Sequence, residues 1–378
     1  MSRLRGGCWG VALGVVALAA RLPAGDVRPA VIPFPEGPGR PISEAEMQRV
    51  YDEVKTPFKY GVILRPEAKD ELFDCPSVFR FGGHWYMLFV AIKHEIGYQT
   101  HLARSDDLLH WTPLGVVLPF AGSGWDQWQG DGGAALVDPT WGGSGALQSY
   151  DGRYWMSYIG GAKQGYEPDP LAIGLAWTTT PDQAAPWRRL GENPVLTPAQ
   201  ADARPFESVT LYKSTIIRDP AASLGWPFVM FYNGKTAANR HEAIGMAVSR
   251  DLTHWVRYGA ASVVDNAPGQ PAISGDPQIV RMGNLWVMFY FGFRWRPHAF
   301  DTFACSADLA HWTKWTGPNL IEPSEPWDRT FAHKPWLLKH DGVVYHFYCA
   351  VGDEGRVIAL ATSRDLGRAP EPASSLPP

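Results

Sequence analysis

The chain has 378 residues, enough for one large domain or two ordinary ones. With 45% hydrophobic and 19% charged residues it has a globular balance, not a disordered one, and a formal net charge of −4 argues against a nucleic-acid binder. An aromatic content of 13% suits β-structure and surfaces that stack on sugars.

Taken from the N-terminus, Arg3 and Arg5 form a basic start, Val11 to Ala20 is apolar, and Ala17-Leu18-Ala19 offers a small-residue cleavage site. Residues 1–24 therefore read as a signal peptide, with the mature protein secreted or periplasmic and free of the membrane once the signal is cut. The run is too short for a mature anchor, and Cys8 precedes it, the wrong place for a lipoprotein cysteine. The later cysteines, Cys75, Cys305 and Cys349, are too few and odd in number for a disulfide framework. No CxxC or HExxH signature is present. Residues 25–59 form an extension with one predicted helix, "SEAEMQRVYDEV", capped by Ser43 with Glu46 at the capping-box position.

From residue 60 to 368 the chain repeats itself. Hairpins of alternating aromatic and aliphatic residues run over Val78–Phe89, Leu147–Tyr158, Thr215–Tyr232, Ile279–Tyr290 and, as "LLKHDGVVYHFY", up to Tyr348. Met87, Met156, Met230, Met288 and His346 hold one equivalent place in them. A second motif follows in phase, "SDDLLHW" from Ser105, "SRDLTHW" from Ser249 and "SADLAHW" from Ser306, with a looser form from Thr180 and "SRDL" from Ser363. Ser249, Ser306 and Ser363 are 57 residues apart. Two motifs in one phase mark a structural repeat. Five units of about four short strands predict an all-β fold, a five-bladed β-propeller of four-stranded antiparallel blades. "YGVILRP", from Tyr60, is placed to supply the last strand of unit five and close the ring. The Pro-rich tail, 369–378, reads as disordered.

In a propeller the first strand of each blade lines the axis. The residues that open these strands therefore converge: Asp74, Asp131, Glu207, Lys213, Asp276, His333 and Lys334. Each acid also has a plain reading as a turn residue, strongest for Asp276 before Pro277. Asp74 sits in an apolar run, where an unpaired carboxylate is costly. His110, His254 and His311 belong to the outer motif and are structural. Trp125, Trp128 and Trp141 lie in a Gly-rich stretch and are candidates for stacking on a sugar face. His333 is placed to bind an axial metal or to hydrogen-bond substrate, and the sequence offers it no evident companion ligands. No cofactor is called for.

"LFDCPSVF", "QGDGGAALV" and "PFESVTLYKSTII" give the chain a resemblance to the five-bladed propeller glycosidases, the superfamily of glycoside hydrolase families 43, 32, 117 and 130. It covers about residues 60 to 366 and places the chain in an outlying branch, since family 43 has Asp-Pro where this chain has Asp74-Cys75-Pro76. The resemblance implies a secreted glycoside hydrolase, monomeric, acting on a polysaccharide or oligosaccharide. By that order of acids, Asp74 is the base or nucleophile, Glu207 the acid and Asp131 its orienting partner. Asp276, His333, Lys334, Lys213, Trp125, Trp128 and Arg294 are the substrate-binding candidates. Two alternatives stand beside this: a phosphorylase, with Lys213, Arg294, His333 and Lys334 holding phosphate, and a propeller that only binds glycans. Lys213 and Lys334 point either to an anionic substrate or to pairing with neighbouring aspartates.

Overall fold

The computed structural model describes residues 31–370, apart from 69, 94 and 95. The expected signal peptide and most of the expected tail lie outside the described residues. Helix α1 (Glu44–Val54) starts where the capping signal put it: the Glu46 amide donates to Ser43 Oγ at 3.3 Å, and the Ser43 amide donates back to Glu46 Oε2 at 3.0 Å. Its apolar side, Met47, Val50 and Val54, packs on a cluster with Val287, Phe289 and Phe303.

The rest is strand. After β1 (Phe58–Leu64) come five antiparallel groups. The first is β2 (Glu71–Phe81), β3 (His84–Lys93), β4 (Gly97–Ser105) and β5 (Thr112–Leu118). The next is β6 (Gln129–Ala134), β7 (Tyr154–Gly161), β8 (Ala172–Thr178) and β9 (Arg188–Arg189). Then follow β10 (Thr210–Arg218), β11 (Phe228–Lys235), β12 (Glu242–Ser249) and β13 (Trp255–Tyr258), and β14 (Ile273–Met282), β15 (Leu285–Phe293), β16 (Ala299–Ser306) and β17 (Thr313–Lys314). The last group is β18 (Phe331–His340), β19 (Val343–Gly352) and β20 (Gly355–Thr362), and β1 pairs with β20 as its outer strand. The opening strands touch in succession: β2 meets β6, β6 meets β10, β10 meets β14, β14 meets β18, and β18 returns to β2.

The outer motif repeats to the atom. Asp107, Asp251 and Asp308 each accept from the backbone of the following histidine, and Trp111, Trp255 and Trp312 donate from Nε1 to the carbonyls of Leu108, Leu252 and Leu309. His110, His254 and His311 pair with those same aspartates, as a structural role requires.

One expected hairpin differs. In the second group β6 ends at Ala134, and residues 137–147 leave the sheet to cross the end of the opening strands. Arg281 donates its amide to Pro139, and Arg80 donates to Gly145. The Leu147–Tyr158 stretch is thus a crossing segment, a Tyr150–Arg153 bridge and β7. The physical reason is that the segment bonds to β2 and not to β7: Leu147 donates its amide to the Arg80 carbonyl, while the Arg80 amide goes to Gly145.

Candidate active site

Four opening strands carry a bulge near one end, between Asp74 and Ser77, Leu211 and Ser214, Gly275 and Gln278, and His333 and Trp336. A bulge leaves an extra residue unpaired and re-aims its side chain. Cys75, Asp276 and Lys334 take this place with φ of 52°, 51° and 63°, each before a proline. Left-handed backbone at non-glycine residues costs of order 1–3 kcal/mol each and gathers at functional sites. Here it turns three side chains to one point, where Lys213 and Asp131 join them. Lys213 Nζ lies 2.9 Å from Asp131 Oδ1, Cys75 Sγ 3.4 Å from Asp131 Oδ2 and 3.7 Å from Asp276 Oδ2, and Lys334 Nζ 3.5 Å from Cys75 Sγ.

Above this floor opens a cavity of about 260 Å³, lined by Glu167, Tyr212, Asn233, Glu242, Asp276, His333, Lys334 and Arg356, with Tyr166, Phe291, Phe293 and Phe331 at its walls. Glu242 is the first residue of β12 and Arg356 the second of β20, five residues before Ala247 and Ala361, so they hold one repeat position. Glu167 comes from the β7–β8 loop, at φ 44°, and its Oε1 stands 3.7 Å from Lys334 Nζ. Asn233 fixes two acids at once: its Nδ2 donates to Glu242 Oε2 at 2.9 Å, and its Oδ1 accepts from the Asp276 amide at 3.3 Å. Further along the same strands is an apolar crevice lined by residues such as Val78, Trp85, Trp141 and Trp336. Its one carboxylate, Asp138, is taken up by Thr140 and Ser144.

Burial and carboxyl crowding set the charges. Burial, then Glu167 and Asp276, push the Glu242 carboxyl up to about 8. Burial lifts Asp276 to about 7 against the pull of Lys334 and Lys213, and it raises Glu167 while Lys334 opposes. Asp74 goes the other way. Burial alone would raise it, but Arg356 at 2.8 Å and Lys334 at 2.9 Å hold it well below the usual carboxylate range. Burial and those same cations lower His333 to about 3. A neutral imidazole 3.1 Å from the Cys349 carbonyl must donate from Nδ1, which leaves Nε2 as an acceptor on a ring that lines the cavity.

The sequence candidates divide. Asp276, His333 and Lys334 line the cavity; Asp74, Asp131 and Lys213 lie in the floor beneath them. Glu207 does not join them. It sits fully buried in a single 3-10 turn, Pro205–Glu207, against Arg204 (3.0 Å), Arg257 (2.6 Å) and Tyr232 (2.7 Å). Burial would raise it, but these partners lower it, the opposite of what a proton donor needs. Trp125 is spent on packing, stacked on Tyr158 at 5.7 Å. Trp128 packs on Phe120 and gives its carbonyl to the Tyr98 amide. Trp141 is in the far crevice, donating to Glu53, and Arg294 lies exposed beside Phe293 at the rim. Lys213 and Lys334 are each paired with an aspartate, so neither stands free for an anion. Among the described residues no group of acids, histidines and cysteines is arranged to hold a metal ion.

Sequence reasoning missed Glu167, Glu242, Tyr212, Asn233 and Arg356. It followed only the charged residues of the opening strands, which passes over Tyr212 on β10 and everything on the later strands and loops. The signal for Glu242 and Arg356 was a charged residue at a repeat position held elsewhere by Tyr98, Leu171 and Ala299.

No family model and no curated protein matches the chain. Solved structures do. One described as "Glycoside hydrolase" and one described as a complex of BT0996 and RGII are each 44% identical, over 88% of this chain and 100% of theirs, with TM-score 0.83. A thermostable family-43 glycoside hydrolase, 14% identical over 83% of this chain and 98% of its own, shares the fold at TM-score 0.58. Fold and likeness together define a propeller-type glycosidase. The chain belongs to the β-propeller glycoside hydrolases. It is an enzyme, and its substrate is a carbohydrate.

Proposed function

We propose that the protein is a secreted, five-bladed propeller enzyme that hydrolyses a glycosidic bond in the Glu167–Glu242 cavity. Each antiparallel group is one blade, with β1 completing the fifth. The signal-like N-terminus supports export, and the succession of contacts from β2 round to β18 supports the blade count.

The observation that carries the chemistry is the cavity's set of buried carboxyls with unequal surroundings. Hydrolysis needs one carboxyl protonated to donate to the leaving oxygen and one ionised to attack the sugar or activate water. Glu242, raised to about 8 and held by Asn233, keeps its proton at neutral pH and is the acid. Glu167 faces the Lys334 ammonium, which favours its ionised form, and is the nucleophile or base. Mutual repulsion separates the two roles. Asp276 and the His333 Nε2 lone pair accept from sugar hydroxyls, and Phe291, Phe293 and Phe331 supply the apolar wall.

The glycone is uncharged. Lys334 and Arg356 are already committed to Asp74, and an added carboxylate or sulfate would meet Glu167, Glu242 and Asp276. The same pairing speaks against a phosphate site and so against a phosphorylase. A cavity closed at its floor suits removal of a terminal sugar. The trial substrate is an RGII oligosaccharide, after the RGII complex of the 44% identical structure.

The test is the pH dependence of kcat/KM on that oligosaccharide. An acid that must be protonated gives an alkaline limb near pH 8, the value burial and Glu167 set for Glu242. A limb absent up to pH 10 would remove Glu242 from the role.

A further inference from the structure

Lys235 ends β11 and is almost wholly buried, with its side chain 3% exposed. Its ammonium makes two short contacts, to Tyr212 Oη at 2.7 Å and to Asp169 Oδ1 at 2.6 Å. These partners lie on different elements, and both lead to the cavity. Tyr212, on β10, is part of its wall. Asp169 is the foot of the loop that carries Glu167, two residues upstream, and is anchored again by Thr210 Oγ1 at 2.7 Å. Lys235 is also the β-ladder partner of Glu242. One buried cation therefore touches the loop of one catalytic candidate, the wall between, and the strand pair of the other. A buried lysine is costly to desolvate, and an apolar residue of like volume often serves packing as well or better.

We propose that Lys235 is a positioning residue: through Asp169 and Tyr212 it fixes the Glu167 loop against the cavity wall, and it is the cation held beside Glu242 on the paired strand. This rests on the reading of Glu242 as the acid. The groups that act on Glu242 are Lys235 and Asn233 from β11, Glu167 from the loop, Asp276 from β14 and Tyr212 from β10. His241, beside it on the chain, is turned away to Asp265. Among these Lys235 is the cation, and Glu167 and Asp276 are acids that push Glu242 upward; Lys334 from β18 and Arg356 from β20 line the same cavity and are paired with Asp74.

Signs follow. Removing the cation raises the proton affinity of Glu242; removing the anion paired with it lowers that affinity. In the full chain, Lys235→Met should move the alkaline limb of kcat/KM on the trial oligosaccharide up by about 0.5–1 pH unit. Asp169→Asn should move it down and lower kcat about 10-fold as the Glu167 loop loses its anchor. Lys235→Arg keeps the charge and should keep the limb where it is. If Lys235→Met does not fold, the opposed behaviour of Asp169→Asn and Lys235→Arg decides. A merely structural lysine would lower the melting temperature in all three variants and leave the limb fixed, and that result overturns the proposal. Glu242→Gln separates the two levels. If it is inactive while the limb stays fixed in the Lys235 and Asp169 variants, Lys235 has no such role and the acid assignment survives. If it cleaves the oligosaccharide at the wild-type rate, both fall.

Discussion

Glu207 and Glu242 are both buried glutamates, and both lean on β11. Gly234 leaves room for Glu207, whose Cβ would lie 2.5 Å from any Cβ added there, while the residues on either side of Gly234 serve Glu242. Their environments are opposite. Glu207 meets two guanidinium groups and a tyrosine hydroxyl and is held ionised. Glu242 meets an amide, a lysine already shared with Asp169, and two further acids, and is pushed up to about 8. Burial is common to both, so the compensation of charge decides which glutamate can carry a proton at neutral pH. Glu207 ties the Arg204 turn to β13 through Arg257; Glu242 is left under-compensated beside a cavity.

The comparison breaks first on activity. Glu242→Gln and Glu167→Gln should each lower kcat on the trial oligosaccharide by about 10²–10⁴-fold with the fold intact, measured alongside the melting temperature. Glu207→Gln should do the reverse. It strands Arg204 and Arg257 beside a neutral amide, at a cost of about 3–5 kcal/mol, or roughly 5–10 °C in melting temperature, while kcat per folded molecule stays near wild type. Loss of turnover without loss of stability would put Glu207 back in the mechanism.

A smaller effect sharpens the contrast through pH. A carboxyl whose pKa is raised on folding binds its proton more tightly in the folded state. The stability this gives is present below the ordinary value of 4.5 and is lost as pH rises from there through about 8 for Glu242. Asp276, raised from 3.8 to about 7, adds in the same direction. Thermal unfolding should therefore show a decline from pH 5 to 8.5, up to a few kcal/mol, and Glu242→Gln should shrink it. An equal decline in both proteins would mean that Glu242 titrates at its ordinary value.

The smallest effect is expected at Trp128. Its ring packs on Phe120 outside the cavity wall, so Trp128→Ala should change KM less than about 2-fold. A larger rise in KM would show that the substrate reaches that part of the surface.

The repeat was legible because each unit must bury the same face: the phased Met positions, the Ser-Asp-Leu-His-Trp motif and the capping box of α1 are local signals with local causes. The axis was half legible. Asp74, Asp131, Lys213, Asp276, His333 and Lys334 do gather, since they open strands that touch one another. That Lys213 and Lys334 pair with aspartates is one of the two readings open in the sequence; which aspartate each one takes was not legible. Lys334 meets Asp74 from 260 residues away and Arg356 meets it from 282, and nothing near either residue announces the pairing. Glu167 was hidden for another reason: it sits on a loop, outside the repeat, where no periodicity marks it. Glu207 misled because it opens its unit in the place the family's acid holds, yet the Pro205–Glu207 turn bends it away toward Arg204.

The measurement that tests Glu242 most directly compares two substrates on Glu242→Gln. One is the trial oligosaccharide; the other is a dinitrophenyl glycoside of the sugar it releases, whose leaving group needs no proton. If Glu242 donates the proton, the variant loses about 10²-fold or more on the oligosaccharide and stays within about 10-fold of wild type on the aryl glycoside. Equal losses on both substrates, or wild-type cleavage of the oligosaccharide, would contradict that role.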